Sequence, residues 1–418
     1  MDKILYLKIR RGIEFFYFGN GCFADYNSKT ISYLNEVESQ IVVYATGENT
    51  IQEVVYKVEK EFRLEPKAIR ECIERLINRG IVIARANKCV RSVAFHGEFG
   101  KYYPKELIIE LTNQCNFYCP FCYKNASCKG IFISNKVILE LDDIINGKIN
   151  FIQLTGGEPT LHPLFEKYIC LFSKYAQVSM VSNGSELYKH DNESIDELDM
   201  IQFSLYGNDD LEYKVNTGVD DGFTRLQKSV KVVKERGISY SISVTLCDKN
   251  IDKVEDYINT AIKLNSPVIK IGIADLFGRE KKVSTLNEEY VNKKQALDTK
   301  LIHLKRKYRE QINVILNNIE IDESTDELKG KMYDGFLKCG SGIDSLVISQ
   351  NGKIRPCLYL SEADFDYGSV SELRAFIEGD LHKEQLRCSV KKIFNQGFFK
   401  ENNVFPCWAL EDYCKHYI

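Results

Sequence analysis

Along this chain the apolar positions switch between two periods. Near the N-terminus Leu5, Leu7 and Ile9 alternate with polar partners, Phe15-Phe-Tyr-Phe18 reads as a second strand, and Gly19-Asn-Gly21 is the turn before Cys22. The period then lengthens, and Thr30 to Val37, Thr50 to Phe62 and Glu65 to Gly80 read as helices. Thr50 can cap the second with Glu53 three residues on, and Gly80 stops the third ahead of the short strand Ile81-Val-Ile83. A small sheet with three helices has the size of a winged helix. From Lys105 to about Arg279 strand-like and helical runs alternate, which predicts an α/β unit: a parallel sheet with helices on its outside. The expected strands are Leu107–Leu111, Phe151–Leu154, Val178–Val181, Ile201–Leu205, Ser239–Thr245 and Val268–Ile273. Glu288 to Gln311 is expected to be a long charged helix serving as a solvated strut. Farther on, Asn351-Gly352 is a hairpin turn between Ser345-Leu-Val-Ile348 and Lys353-Ile-Arg355.

Composition narrows the partners. With 418 residues there is room for two or three domains. A formal net charge of −3 leaves no electrostatic footprint for nucleic acid, and the helix Pro66 to Leu76 alternates Glu with Arg, which argues against phosphate contact. No window of about eighteen uninterrupted apolar residues exists, and the first residues alternate like a strand instead of forming a signal-peptide core. A cytoplasmic protein with no membrane partner is expected. Fourteen cysteines in so long a chain point to metal sooner than to disulfides.

The densest chemistry is Cys115-Asn-Phe-Tyr-Cys119-Pro-Phe-Cys122, directly after the strand-like run Glu106 to Thr112. Three thiolates on one short loop can hold three irons of a [4Fe–4S] cube and leave the fourth iron open, whereas structural zinc prefers four ligands. With Phe121 before the last cysteine, this loop resembles the signature of radical S-adenosylmethionine (SAM) enzymes. In that family SAM chelates the open iron and the reduced cluster cleaves it to a 5′-deoxyadenosyl radical. The resemblance continues in Gly156-Gly157-Glu158-Pro159, at the end of the apolar run Asn150 to Leu154. There a glycine pair allows close backbone approach and a carboxylate can accept from the ammonium of SAM. Ser182-Asn183-Gly184 and Ser204-Leu-Tyr-Gly207 fall at later strand ends. Ser204 matches the serine that meets the ribose, while Ser182 and Asn183 are either SAM contacts or turn formers. Relatives commonly carry an arginine about a dozen residues after that serine to meet the SAM carboxylate. Here Val215-Asn216-Thr217-Gly218 stands in its place, with Lys214 as a substitute candidate.

The resemblance implies a partial (β/α)6 barrel at 105–285, leaving through Leu276-Phe-Gly-Arg279. The order of elements over 1–90 resembles the PqqD-like domain that captures the leader of a precursor peptide; 91–104 and 286–335 are then linkers. At 336–418, Cys339 and Cys357 flank Gly352 with the opening spacing of the twitch and SPASM extensions. Cys407 and Cys414 can close the ligand set of one auxiliary iron–sulfur cluster, and Cys388 is unassigned. Cys22, Cys72, Cys89, Cys128, Cys170 and Cys247 read either as small buried hydrophobes or as ligands. The implied activity is modification of a ribosomally made precursor peptide by hydrogen abstraction, through a thioether or carbon–carbon cross-link, with electrons from a flavodoxin or ferredoxin. A peptide epimerase, a small-molecule dehydrogenase, a sulfatase-type maturase and a non-enzymatic iron–sulfur sensing winged-helix regulator are the alternatives.

Overall fold

The computed structural model describes residues 4–26, 29–247, 249–273, 279, 288–316, 345–358, 362 and 366–378. The N-terminal part runs β1 (Tyr6–Ile9), β2 (Ile13–Phe18), β3 (Gly21–Tyr26), β4 (Lys29–Leu34), α1 (Glu36–Tyr44), β5 (Thr46–Thr50), α2 (Ile51–Phe62), α3 (Pro66–Asn78), β6 (Val82–Arg85) and β7 (Phe95–His96). Strand β1 lies between β5 and β6, antiparallel to both. Leu7, Ile9, Ile41, Val54, Val58, Ile69, Ile73 and Leu76 close a core beneath that sheet. The expected cap of α2 is present: the Glu53 amide donates to Thr50 Oγ1 (3.2 Å) and the Thr50 amide to the Glu53 carboxylate (2.7 Å).

Two expectations fail here. Thr30 to Val37 is not a helix: Lys29–Leu34 is a strand antiparallel to β3, with Tyr33 opposite Phe23 and Leu34 opposite Cys22. Its β-branched and aromatic residues suit a pleated surface, and the helix starts only after Asn35, whose side chain caps it by accepting from the Glu38 amide (2.9 Å). The stretch 91–104 is also more than a linker, since β7 pairs in parallel with β2 and stacks Phe95 on Phe15.

The second part alternates as the sequence predicts: β8 (Glu106–Thr112), α4 (Asn135–Ile145), β9 (Phe151–Gly156), α5 (Phe165–Phe172), β10 (Gln177–Ser182), α6 (Asn192–Asp196), β11 (Met200–Ser204), α7 (Asp210–Thr217), α8 (Gly222–Glu235), β12 (Ser239–Leu246), α9 (Val254–Lys263) and β13 (Val268–Ile273). All six expected strands form, each within two residues of its predicted ends, and they pair in parallel in chain order. Leu107, Ile109, Ile152, Leu154, Met180, Ile201, Phe203, Ile242, Val244 and Ile269 are buried under the helices. The opposite face is polar and half-buried, with Glu106, Gln153, Ser179, Gln202, Ser204, Ser243 and Lys270. Lys270 of β13 donates to Gln202 of β11 (2.8 Å), and its charge acts on Glu106 of β8, so the sheet curls and these side chains line its concave face.

The sheet extends past the six. α10 (Glu288–Tyr308) leads into β14 (Asn313–Leu316), parallel to β13. Leu297, Leu301, Leu304 and Tyr308 of α10 are buried at i, i+4 and i+7 spacing, so this helix packs an apolar stripe and is no solvated strut. On the other edge the expected hairpin is present as β15 (Ser345–Ile348) and β16 (Ile354–Arg355), but β15 also pairs in parallel with β8 and so belongs to the large sheet. α11 (Val370–Glu378) packs against α4. No helix among the described residues is long and apolar enough to cross a membrane.

Candidate active site

The loop after β8 is tied down at each cysteine. The Cys115 amide donates to Ser127 O (2.7 Å), the Cys122 amide to Cys119 O (3.3 Å) and the Asn125 amide to Cys122 O (3.1 Å), while Tyr118 is held from α7 through Thr217 O (2.9 Å). Cys115 Sγ accepts from the Phe117 amide (3.4 Å) and from Asn183 Nδ2 (3.8 Å); Cys122 Sγ accepts from the Ala126 amide (3.4 Å). Burial, then the nearby Glu158 carboxylate, pushes the Cys115 thiol up to about 12. Burial and the two neighbouring cysteines push Cys119 up as well. Thiols so placed keep their protons at neutral pH until a metal displaces them.

The glycine pair meets protein backbone. Gly156 has φ 137°, and a Cβ there would stand 2.3 Å from Thr112 O; one on Gly157 would stand 2.1 Å from Gln114 O. The two amides that follow donate across this contact, Gly157 to Thr112 O (2.7 Å) and Glu158 to Gln114 O (2.9 Å), so the turn after β9 clasps the root of the cysteine loop. Glu158 is fully buried, and four donors converge on it: the Thr160 amide (3.2 Å) and hydroxyl (2.6 Å), the Ser182 hydroxyl (2.8 Å) and the Asn183 amide (2.7 Å). Ser182 and Asn183 therefore both form a turn and brace the site, for the Asn183 side chain also donates to Asn116 Oδ1 (2.9 Å) and to Cys115 Sγ. Ser204 lies on the concave face at the end of β11. Tyr206, half-buried two residues on, has its phenol held far above the usual value by burial and the loop thiols, and its ring stacks on Phe121 at 6.0 Å.

Lys214 is not drawn into the site: it is exposed on α7 and paired with Asp220 (2.7 Å). Cys22, Cys72 and Cys170 are engaged with Ser39, Arg75 and Ser194 respectively. Of the four cysteines expected at an auxiliary cluster, Cys357 follows the hairpin strand β16, while Cys339, Cys407 and Cys414, like Cys388, lie outside the described residues. Sequence reasoning missed three groups. Asn116 donates to Ser185 Oγ (2.7 Å) and steadies the loop from within. Lys124 and Arg355 both pair with Glu110 of β8, and Lys124 also donates to Gln350 Oε1 (2.9 Å) in the hairpin. Arg279 reaches the cysteine loop from beyond β13. A lysine two residues past Cys122 and an arginine two before Cys357 were legible signals; the convergence on Glu110 was not.

Residues 109–261 match the model of the radical SAM superfamily. Over these residues the chain carries a radical SAM domain, and it is an enzyme. It is 23% identical over 356 residues to the antilisterial bacteriocin subtilosin biosynthesis protein AlbA of Bacillus subtilis, covering 81% of this chain and 74% of AlbA. It is also 23% identical to the sporulation killing factor maturation protein SkfB of the same organism, covering 71% of this chain and 70% of SkfB. In fold it is similar to Streptococcus suis SuiB bound to SAM, with a TM-score of 0.58 at 16% identity over 90% of this chain and 89% of SuiB. A further SuiB structure, with a TM-score of 0.56 at 15% identity over 84% of this chain and 83% of that one, is bound to the precursor peptide SuiA.

Enzymes of this superfamily bind a [4Fe–4S] cluster and SAM, and the loop suits that cluster. It offers three sulfur donors on one short loop, Cys115 and Cys119 buried and Cys122 half-buried, with the Phe117 and Ala126 amides and the Asn183 side chain donating to the sulfurs.

Proposed function

We propose that this radical SAM enzyme matures a ribosomally made precursor peptide: it captures the leader on its N-terminal unit and forms a thioether, or failing that a carbon–carbon, cross-link at the concave face of the large sheet. The observation that carries the reading is reach. The likeness to AlbA spans 81% of the chain and that to SuiB 90%, well beyond residues 109–261, so it takes in elements a minimal radical SAM domain lacks. In the N-terminal unit β6 is an edge strand beside α3, and a leader peptide adding a strand there would pack on α3 as in other backbone-driven peptide recognition. This is the PqqD-like mode.

In this reading Cys115, Cys119 and Cys122 hold the [4Fe–4S] cluster. Gly156, Gly157, Glu158, Ser182, Asn183 and Ser204 seat SAM, Ser204 toward the ribose and Glu158 by holding the turn rigid, since its four hydrogen bonds already occupy its carboxylate. Bound there, the two cofactors supply abstraction of a hydrogen atom from an unactivated C–H bond. The polypeptide provides placement and exclusion of water: Phe117, Phe121, Tyr206 and Tyr213 wall the loop with aromatic rings. Cys357 with Cys339, Cys407 and Cys414 is proposed to hold one auxiliary iron–sulfur cluster in a twitch/SPASM-like unit. A flavodoxin or ferredoxin in the cytoplasm is the proposed reductant, with neither nucleic acid nor membrane as partner.

The test is anaerobic reconstitution with iron and sulfide, then SAM, reductant and a leader-bearing candidate precursor peptide, nominated by any short cysteine-rich reading frame found beside the gene. Release of 5′-deoxyadenosine with a peptide lighter by two hydrogen atoms is expected. SAM cleavage without any change to a leader-bearing peptide would overturn the peptide reading. Equal turnover of peptides with and without the leader would remove the leader-binding role of residues 1–90.

A further inference from the structure

Arg279 is a buried cation whose described partners are all neutral. Only 7% exposed, it donates its amide to Cys122 O (3.0 Å) and its Nε to Asn125 Oδ1 (3.2 Å), and its two terminal nitrogens donate to Cys119 O and Ala126 O. Tyr118 closes over the guanidinium with its ring centre 3.7 Å away. The planar fork thus spans the loop from Cys119 to Ala126, adding a second donor at Cys119 O and one at Ala126 O. Among the described residues no carboxylate lies within ion-pair distance of it. A buried charge is costly unless an anion faces it. The loop it grips carries Cys119 and Cys122, so a cluster held there is the anion that would face it.

We propose that Arg279 is a positioning residue with two tasks: its fork pre-shapes the loop so that Cys115, Cys119 and Cys122 point at one cluster, and its charge offsets the negative charge of that cluster and so eases its reduction. The inference rests on the cluster assignment made above. The fork belongs to the geometry of guanidinium and the charge to any cation, so two substitutions separate them. Arg279→Lys keeps the charge and loses the fork; Arg279→Gln loses the charge and keeps two donors.

The experiment uses the full chain, with Arg236→Gln, which breaks an exposed pair with Asp196, as the control. In iron-free protein, alkylation of Cys119 by iodoacetamide, followed by mass spectrometry, should speed up about tenfold in Arg279→Lys, which keeps the charge, and stay unchanged in the control, because the loop loses hydrogen bonds worth about 1 kcal/mol each. After reconstitution, a redox titration followed by electron paramagnetic resonance should give Arg279→Lys a midpoint close to the parent's and Arg279→Gln a more negative one. Parent-like alkylation in Arg279→Lys would overturn the positioning role, and a parent-like midpoint in Arg279→Gln would overturn the electrostatic one. If the parent chain itself takes up no cubane cluster, the cluster assignment fails, while the alkylation rates still decide whether Arg279 shapes the loop.

Discussion

The sharpest energetic test of this architecture is Glu110→Gln. Glu110 is fully buried on β8, and its carboxylate is the shared counter-charge of Lys124 (side chain 9% exposed), just past the cysteine loop, and Arg355 (7%), on the hairpin strand β16. Burial presses the Lys124 ammonium below its ordinary range, and Glu110 is the chief group opposing that pressure. The amide keeps the shape and removes the charge, leaving two cations desolvated together. Breaking a buried pair from one side costs about 3–5 kcal/mol, and the lower figure applies if Lys124 sheds its proton. At about 2–4 °C per kcal/mol for a unit of this size, the melting temperature followed by circular dichroism should fall by about 6–20 °C. Because Arg355 and Gln350 tie the hairpin to β8 and Lys124, cleavage by chymotrypsin near Cys357 should also quicken. Arg355→Gln should cost a similar amount, and the double variant should cost clearly less than the sum, as expected of groups that act on one another. A fall under about 2 °C, or strictly additive losses, would show that these charges are solvated and that the hairpin is held by other means.

Other outcomes follow from the same geometry. Cys119→Ala should lose about one cubane of iron and all SAM cleavage while retaining an auxiliary cluster; iron and sulfide counts check it, and loss of all iron would deny two separable sites. Glu158→Gln should strip the Asn183 amide or its neighbours of an acceptor, at about 1–3 kcal/mol, and lower iron retention and SAM affinity together. Weaker SAM binding at full iron content would instead mean that the carboxylate reaches SAM directly. Cys357→Ala should spare SAM cleavage yet abolish the peptide product, and product formed at the parent rate would leave the auxiliary site without a role. At pH 7.5, iodoacetamide should label Cys89 well before Cys22: Lys8, 2.8 Å away, lowers the exposed Cys89 thiol, whereas burial lifts Cys22 to about 12. Equal labelling would refute that ordering.

What was legible in the sequence was whatever a local pattern encodes. The six parallel strands announce themselves through apolar runs, the cap of α2 through Thr50 and Glu53, and the hairpin through Asn351-Gly352. Thr30 to Val37 misled because β-branched residues next to a strong helix cap read as one amphipathic segment, when Asn35 in fact divides strand from helix. α10 misled in the other direction: its many charges concealed the stripe Leu297, Leu301, Leu304 and Tyr308, which a search for long apolar runs passes over.

The candidate site shows a deeper limit. Gly156, Gly157 and Glu158 were singled out as SAM contacts, and the structure puts the strain of the glycine pair against Thr112 and Gln114 and fills the carboxylate with Thr160, Ser182 and Asn183. These residues shape the surface that a ligand would meet by fixing one loop on another, a role that motif spacing cannot tell apart from direct contact. The same holds for the long-range pieces. Arg279 lies 160 residues from Cys119 and Arg355 lies 245 from Glu110, so their meeting depends on the curl of the sheet and the return of β15 to β8. Both are cations drawn into a region rich in buried acid and thiol. The cysteine loop is therefore held on one side by the turn after β9 and on the other by Arg279, with Lys124 linking its exit to the hairpin before Cys357. Lys124 and Arg355 meet at Glu110, and that shared contact between loop exit and hairpin is the one the first substitution cuts.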